Sequence, residues 1–244
     1  MHSSNNFTFH FSPFNLSSTQ ALTKNLTVAI AAVMVAVPWV AALRLLDSQG
    51  WWSVPAWLFV GGKGLMLLST AVAMAVRPRL AIQLFAGRYR FDSHSLHGLL
   101  QAFTRYGWEL PQTAIGYIFA QWRVALGRVK QVATVHGVTF VAGRHRQPHT
   151  TAGLSLGCFV QMWLPRRAGE ECERWECRGG DEMARHEYGH TVDSQLWGWL
   201  YLPVIGLPSL ISQALGLSPK ARHRHDDFWA ERRADRLGKR FFTD

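Results

Sequence analysis

Residues 186–190 read His-Glu-Tyr-Gly-His. Side chains four apart share one face of an α-helix, so this spacing predicts that His186 and His190 aim imidazole nitrogens at one ion. A carboxylate next to the first histidine reaches the water beside such an ion rather than the ion itself, which makes Glu187 the candidate general base. Glu231 stands 41 residues beyond His190, within DDFWAERRADRLG, and Asp235 follows it at the same four-residue interval. Glu231 completes a set of two histidines and one carboxylate and leaves a fourth position for solvent, the composition of a catalytic zinc. Asp235, one turn on, can accept the remaining N–H of a ligand histidine and fix its tautomer.

Those residues need two helices and something to pack them against. Asp181, after Gly179-Gly180, is the expected N-cap of the first helix, and Asp226 or Asp227 that of the second. Gly189 costs a helix about 1 kcal/mol relative to Ala, which predicts close approach of a neighbour. Upstream, Asp92 or Ser93 can cap a helix through HSLHGLLQAFTRY ending at Gly107, and Pro111 suits the first turn of QTAIGYIFAQWRVAL, ending near Gly127. The period then changes. VKQVATV and VTFVAG form an expected hairpin through His136-Gly137. GLSLGCFVQMWL alternates as one strand, with Leu154, Leu156, Cys158, Val160, Met162 and Leu164 on one face. Its other face (Ser155, Gly157, Phe159, Gln161, Trp163) is mixed, as at a sheet edge. The segment RRAGEECERWECRGG reads as a solvated loop in which Cys172 and Cys177 lack a matching pair for a zinc knuckle.

The first third of the chain is different in kind. Of 26 Lys and Arg and 16 Asp and Glu, residues 1–80 hold five bases (Lys24, Arg44, Lys63, Arg77, Arg79) and one acid, Asp47. Of the net charge of +10, +4 falls in residues 1–80 and +6 in the remainder, without a compact basic stripe, which argues against a nucleic-acid platform. With 48% apolar and 17% charged residues the chain is no disordered polymer, and three cysteines make no disulfide framework. Residues 1–24 read as a flexible polar tail. Residues 25–79 read as a membrane anchor of two transmembrane helices, 25–46 (with Pro38 inside it) and 54–76 (with Lys63 near its middle). Trp39, Trp51, Trp52 and Trp57 surround the connector as an interfacial belt would, although two buried core helices give the same pattern. Arg77, Arg79, Arg88 and Arg90 follow the second run, so the positive-inside rule places both chain ends and the remainder in the cytoplasm. A third uncharged stretch, Leu196–Leu217, cannot cross once without separating His190 from Glu231, and is too short to cross twice. With Pro203 and Pro208 in it, it reads as a buried or interfacial loop near the site.

At His186–His190 and Glu231–Asp235 the chain resembles the gluzincin group of zinc metallopeptidases, whose pattern is HExxH followed by ExxxD. The alternating strand before the motif helix resembles the zincin edge strand that holds an extended substrate backbone. From about Trp108 to Phe242, the segments WELPQTAIGY, GLSLG, HEYGH, YLPVIGLPSLIS and FWAERRADRLG are similar to an uncharacterised metallopeptidase-like domain at the ends of some bacterial RHS-repeat proteins. That resemblance implies a bacterial source and an effector or toxin ancestry, but no particular substrate; with the two hydrophobic runs, a bacterial source makes the inner membrane the expected setting. Here a hydrophobic segment, and no RHS repeat, precedes the domain.

The expected architecture is α+β: a small zincin-like domain over residues 92–244, with a short antiparallel sheet, an HExxH helix and a Glu-bearing helix, behind a transmembrane hairpin. The expected activity is zinc-dependent hydrolysis of peptide or protein substrates at a membrane. His223, His225 and Tyr201 are weaker candidates for stabilising a developing oxyanion; the two histidines, like His145 and His149, also suit a solvated basic loop. Two alternatives remain open at this level. A structural zinc closed by a fourth ligand such as His223 or Cys177 would make the protein non-catalytic, and a metal-free membrane-active protein would owe its behaviour to the apolar runs alone. Oligomeric state is not legible.

Overall fold

The structure is a computed structural model that describes residues 40–42, 44–45, 53–90, 96–144, 152–164, 180–215 and 227–241. The polar tail, nearly all of the first hydrophobic run, the Cys172–Cys177 segment, and His145, His149, His223 and His225 lie outside them.

The fold is α+β, a four-stranded sheet between two helical layers. One layer holds α1 (Ser53–Val76), α2 (Pro78–Arg88) and α4 (Leu110–Ala125). A shorter α3 (Leu96–Phe103) runs into a π-helical turn at Thr104–Trp108 before α4, so the helix expected to end at Gly107 carries one residue further in a wider winding. The other layer holds α5 (Gly180–Trp197) and α7 (Trp229–Phe241). Between them in the chain, Gly198–Leu200 is a 3₁₀ turn, Leu202–Gly206 a π turn, and α6 spans Leu207–Leu215. The stretch expected to be a loop is thus helical, because Pro203 and Pro208 stand near the starts of helical segments, where their missing N–H groups cost nothing.

The sheet consists of β1 (Val129–Val135), β2 (Val138–Arg144), β3 (Ala152–Leu156) and β4 (Phe159–Leu164) in the order β1-β2-β4-β3. The β1–β2 hairpin is as expected, and its turn holds His136 at φ 46° and Gly137 at φ 78°, the double left-handed conformation of a two-residue hairpin. The sheet is not purely antiparallel: β2 and β4 pair in parallel. Nor is the run from Gly153 to Leu164 one strand. Gly157, at φ 59°, turns the chain back, and its Cα packs so tightly on the Thr113 backbone that no side chain fits. Leu156 then pairs with Phe159, and both abut Gly116 of α4. The turn exchanges the two faces, so Ser155 shares the α5 side with Val160 and Met162 rather than pointing with Phe159. Helices cover both faces, which buries β4 almost throughout instead of leaving one face in water.

Within α1, Phe59–Val76 is long and apolar enough to cross a membrane, and 17% of that window is buried. Only a seam of Met66, Ser69, Thr70 and Ala73 packs inward, at the i, i+3, i+4, i+7 spacing of one helical stripe. Thr70 and Tyr117 share a hydrogen bond of 2.6 Å there. The arginines after α1 are not a free juxtamembrane set. Arg88 is buried, with Nη1 2.8 Å from the Met66 sulfur, and Arg77 donates to the Val129 carbonyl at 3.1 Å.

Candidate metal centre

α5 and α7 cross antiparallel at two glycines. Gly189 lies against the backbone of Ala234, and Gly238 against that of Arg185, each too close for a Cβ. The close approach predicted from Gly189 is there, and it sets the distance at which side chains from the two helices meet. Asp181 is inside the first turn of α5, which begins at Gly180, and α7 begins at Trp229, beyond Asp227; neither aspartate takes the N-cap place expected of it.

At the crossing, His186 Nε2 is 3.0 Å and His190 Nε2 3.3 Å from the same oxygen, Oε2 of Glu231. The two rings stand nearly perpendicular, with centroids 4.9 Å apart. A tetrahedral zinc site with bonds of about 2.0–2.1 Å has ligand–ligand edges of about 3.3 Å, so two of its edges are already close to length. All three ligand atoms lie within 4.8 Å of one another, and this trio can hold a metal ion. Among the described residues no fourth His, Cys, Asp or Glu joins it. The donor set of two imidazoles and one carboxylate suits zinc.

Further side chains orient the trio. Asp235 Oδ1 accepts from His186 Nδ1 at 2.8 Å, which leaves Nε2 directed at Glu231, as the sequence anticipated. Asp235→Asn is expected to weaken zinc binding about 10- to 100-fold with an unchanged fold, measurable by competition with a chromophoric chelator. Ser209 of α6 donates a short hydrogen bond to Glu231 Oε1, leaving Oε2 for the histidines. Asp193, one turn past His190, takes Arg233 Nε at 2.6 Å and ties α5 to α7 below the site.

Electrostatics follow from this crowding. Burial alone would lower His186, but hydrogen bonding to Glu231, the charge of Glu187 and the bond to Asp235 outweigh it and push the imidazole up to about 9. Burial likewise opposes ionisation of Glu231, yet hydrogen bonds from His186 and His190 hold it well below the usual carboxylate range. A His186 imidazole raised to about 9 holds a proton at neutral pH, and a metal ion binding through Nε2 must displace it. Apparent zinc affinity is expected to rise about tenfold per pH unit from pH 7 to 9 and to level off above, measurable by buffered-zinc titration.

Glu187 is buried close enough for its charge to act on His186, and its carboxylate lies on the side of the trio that faces β3. Ser155 Oγ lies 2.7 Å from both Glu187 Oε2 and the Glu187 carbonyl, and the carboxylate occupies the space that a side chain at 153 would fill. Gly153, Ser155 and Ser209 were not singled out in the sequence. The only signal was small residues alternating at 153 and 155 beside the motif helix, and the parity exchange at Gly157 disguised it. Tyr201 is buried, and burial, with the charges of Glu187, Asp193, Glu231 and Glu109, pushes its hydroxyl well above the ordinary range, so it stays protonated at neutral pH.

β3 is the terminal strand of the sheet, packs against α5, and has β4 on one side. Set against known proteins, the chain matches no family model, no curated protein and no solved structure, so its site is read from its own geometry.

Proposed function

We propose that this chain is a zinc-dependent metallohydrolase that cleaves peptide bonds at a membrane. The observation carrying the reading is the meeting of His186 and His190 nitrogens at one Glu231 oxygen, with the Glu187 carboxylate buried alongside. A bound zinc ion supplies Lewis-acid polarisation of the scissile carbonyl and makes neighbouring solvent acidic enough to ionise near neutral pH. Glu187, steadied by Ser155, takes the proton from the attacking water and returns it to the departing amine, a role worth about 10²–10⁴ in rate. Tyr201, kept protonated by burial, is the candidate donor to the developing oxyanion. The terminal strand β3 lies beside Glu187, so an extended substrate adding to that edge by backbone hydrogen bonds would bring its carbonyls toward the site, which favours a peptide over a small ester or amide. The exposed apolar outer face of α1 supports membrane association, because a soluble core helix would bury most of such a window.

The test is metal analysis of the purified full chain together with turnover of a broad peptide library. One zinc per chain is expected, with cleavage abolished by a chelator and restored by zinc. A zinc-loaded protein that cleaves nothing in the library overturns the peptidase reading. Failure to take up stoichiometric zinc overturns the metal centre.

A further inference from the structure

After α5 ends at Trp197 the chain turns through 3₁₀ and π segments into α6. Tyr201 and Ile205 point inward and pack with Ala230 of α7. Trp199, Leu200, Leu207, Leu210 and Ile211 point outward, and Trp229 at the start of α7 joins them on the surface; Trp199 is 64% exposed. Large apolar side chains grouped in this way are uncommon on a soluble monomer and mark a surface with a partner.

Three observations identify that partner as a bilayer. First, residues 196–217 carry no charge, yet the exposed face of α7 continues from Trp229 with Arg232, Arg236 and Lys239. An aromatic at the rim followed by cations is the order in which a chain meets acyl tails, then anionic headgroups. Secondly, the patch adjoins the lipid-length helix. Trp108, just before α4, stacks edgewise on Trp199 at 5.9 Å, and Gln112 Nε2 donates to the Gly198 carbonyl at 2.6 Å. Thr70 meets Tyr117, and Arg77 meets Val129 just beyond α4, so α1 runs in the same direction as α4. The first half of α1, with Trp57 62% exposed, consequently emerges at the end of α4 where the patch lies. Thirdly, the patch is mechanically joined to the site, since Ser209, between Leu207 and Leu210, holds Glu231.

The geometry points to a second lipid contact: the outer face of residues 199–211, with Trp229, docks on an anionic bilayer surface and turns the mouth of the metal centre toward it. Resting on the metallopeptidase reading, this narrows the substrate to polypeptide lying at the membrane surface, such as juxtamembrane segments or membrane-bound amphipathic stretches. Freely dissolved peptides are poorer substrates because they must reach a cleft that faces lipid.

The experiment uses the full chain in vesicles of phosphatidylcholine with phosphatidylglycerol, in a Cys172→Ser, Cys177→Ser background; the remaining Cys158 is buried. Single environment-sensitive fluorophores are placed through Trp199→Cys, Leu210→Cys and, as a water-facing reference, Lys130→Cys on β1. Labels at 199 and 210 are expected to shift to the blue and to be quenched by nitroxide lipids at least twofold more than the label at 130. Equal quenching at all three positions, or disulfide-linked pairing of two chains through Leu210→Cys, overturns the docking surface. In parallel, one peptide is offered free and tethered to the vesicles by an acyl chain. Wild type should cleave the tethered form at least tenfold faster, and Leu207→Ser with Leu210→Ser should remove that preference while sparing cleavage of the free form. Equal cleavage of both forms by wild type overturns the substrate class. Because the fluorescence needs neither metal nor turnover, labels in lipid without any cleavage would sink the peptidase reading alone. Cleavage with labels in water would sink the docking surface alone.

Discussion

Glu187→Gln is expected to retain zinc and lose hydrolysis. The amide is isosteric, its oxygen can still accept from Ser155, and it fits the space beside Gly153, so the fold has no reason to respond. His186, His190 and Glu231 are untouched, and metal content should stay at one per chain. What the substitution removes is the ability to hold a proton between water and leaving amine. That predicts a fall in kcat of about 10²–10⁴ with KM little changed, because in the proposed mode substrate binds along the edge of β3 and not through this group. Single-turnover rates on the best library peptide, zinc content and thermal midpoint make the measurement complete. Full activity in the variant would refute the general-base role even if zinc binding were intact.

The second large effect comes from a residue with no side chain. Gly189→Ala should raise the intrinsic helix preference of α5 by about 1 kcal/mol, and by that rule alone stabilise the protein. Here the new methyl meets the carbonyl of Ala234, backbone that cannot rotate away. Overpacking of that kind costs about 1–3 kcal/mol, and α7 must retreat to relieve it. Glu231 rides on α7, so contacts of 3.0 and 3.3 Å to the two histidines open together. The expected result is a midpoint lowered by several degrees, at about 2–4 °C per kcal/mol for a chain of this size, and zinc affinity down by more than the roughly 10- to 100-fold expected of Asp235→Asn. Gly64→Ala is the control: nothing lies within 4 Å of that position, so midpoint and zinc affinity should hold or improve. Unchanged zinc affinity in Gly189→Ala would mean that the helix crossing does not set the site.

The meeting of His186, His190 and Glu231, and the bond of Asp235 to His186, were legible along the chain because their geometry is helical and local. Residues four apart share a face whatever surrounds them, and two such pairs need only meet. The helix over 110–125, the His136-Gly137 hairpin and the tight packing of Gly189 were legible for the same reason, each following from a turn residue or a period. The run 153–164 was not, since a two-residue turn at Gly157 hides inside an alternating pattern and exchanges the faces on either side of it. That exchange brings Ser155 and Gly153 to Glu187, and only the packing of Gly157 on Thr113 reveals it. Ser209 escaped notice because its role depends on a helical path through two prolines that the sequence suggests is a loop. The sequence by itself determined which atoms could meet a metal ion, since that is a matter of residue type and helical spacing. The tertiary structure alone decided which small residues steady those atoms, and which apolar side chains are left facing outward. Contacts between segments far apart in the chain depend on crossing angles and strand order, which leave no periodic trace in the chain.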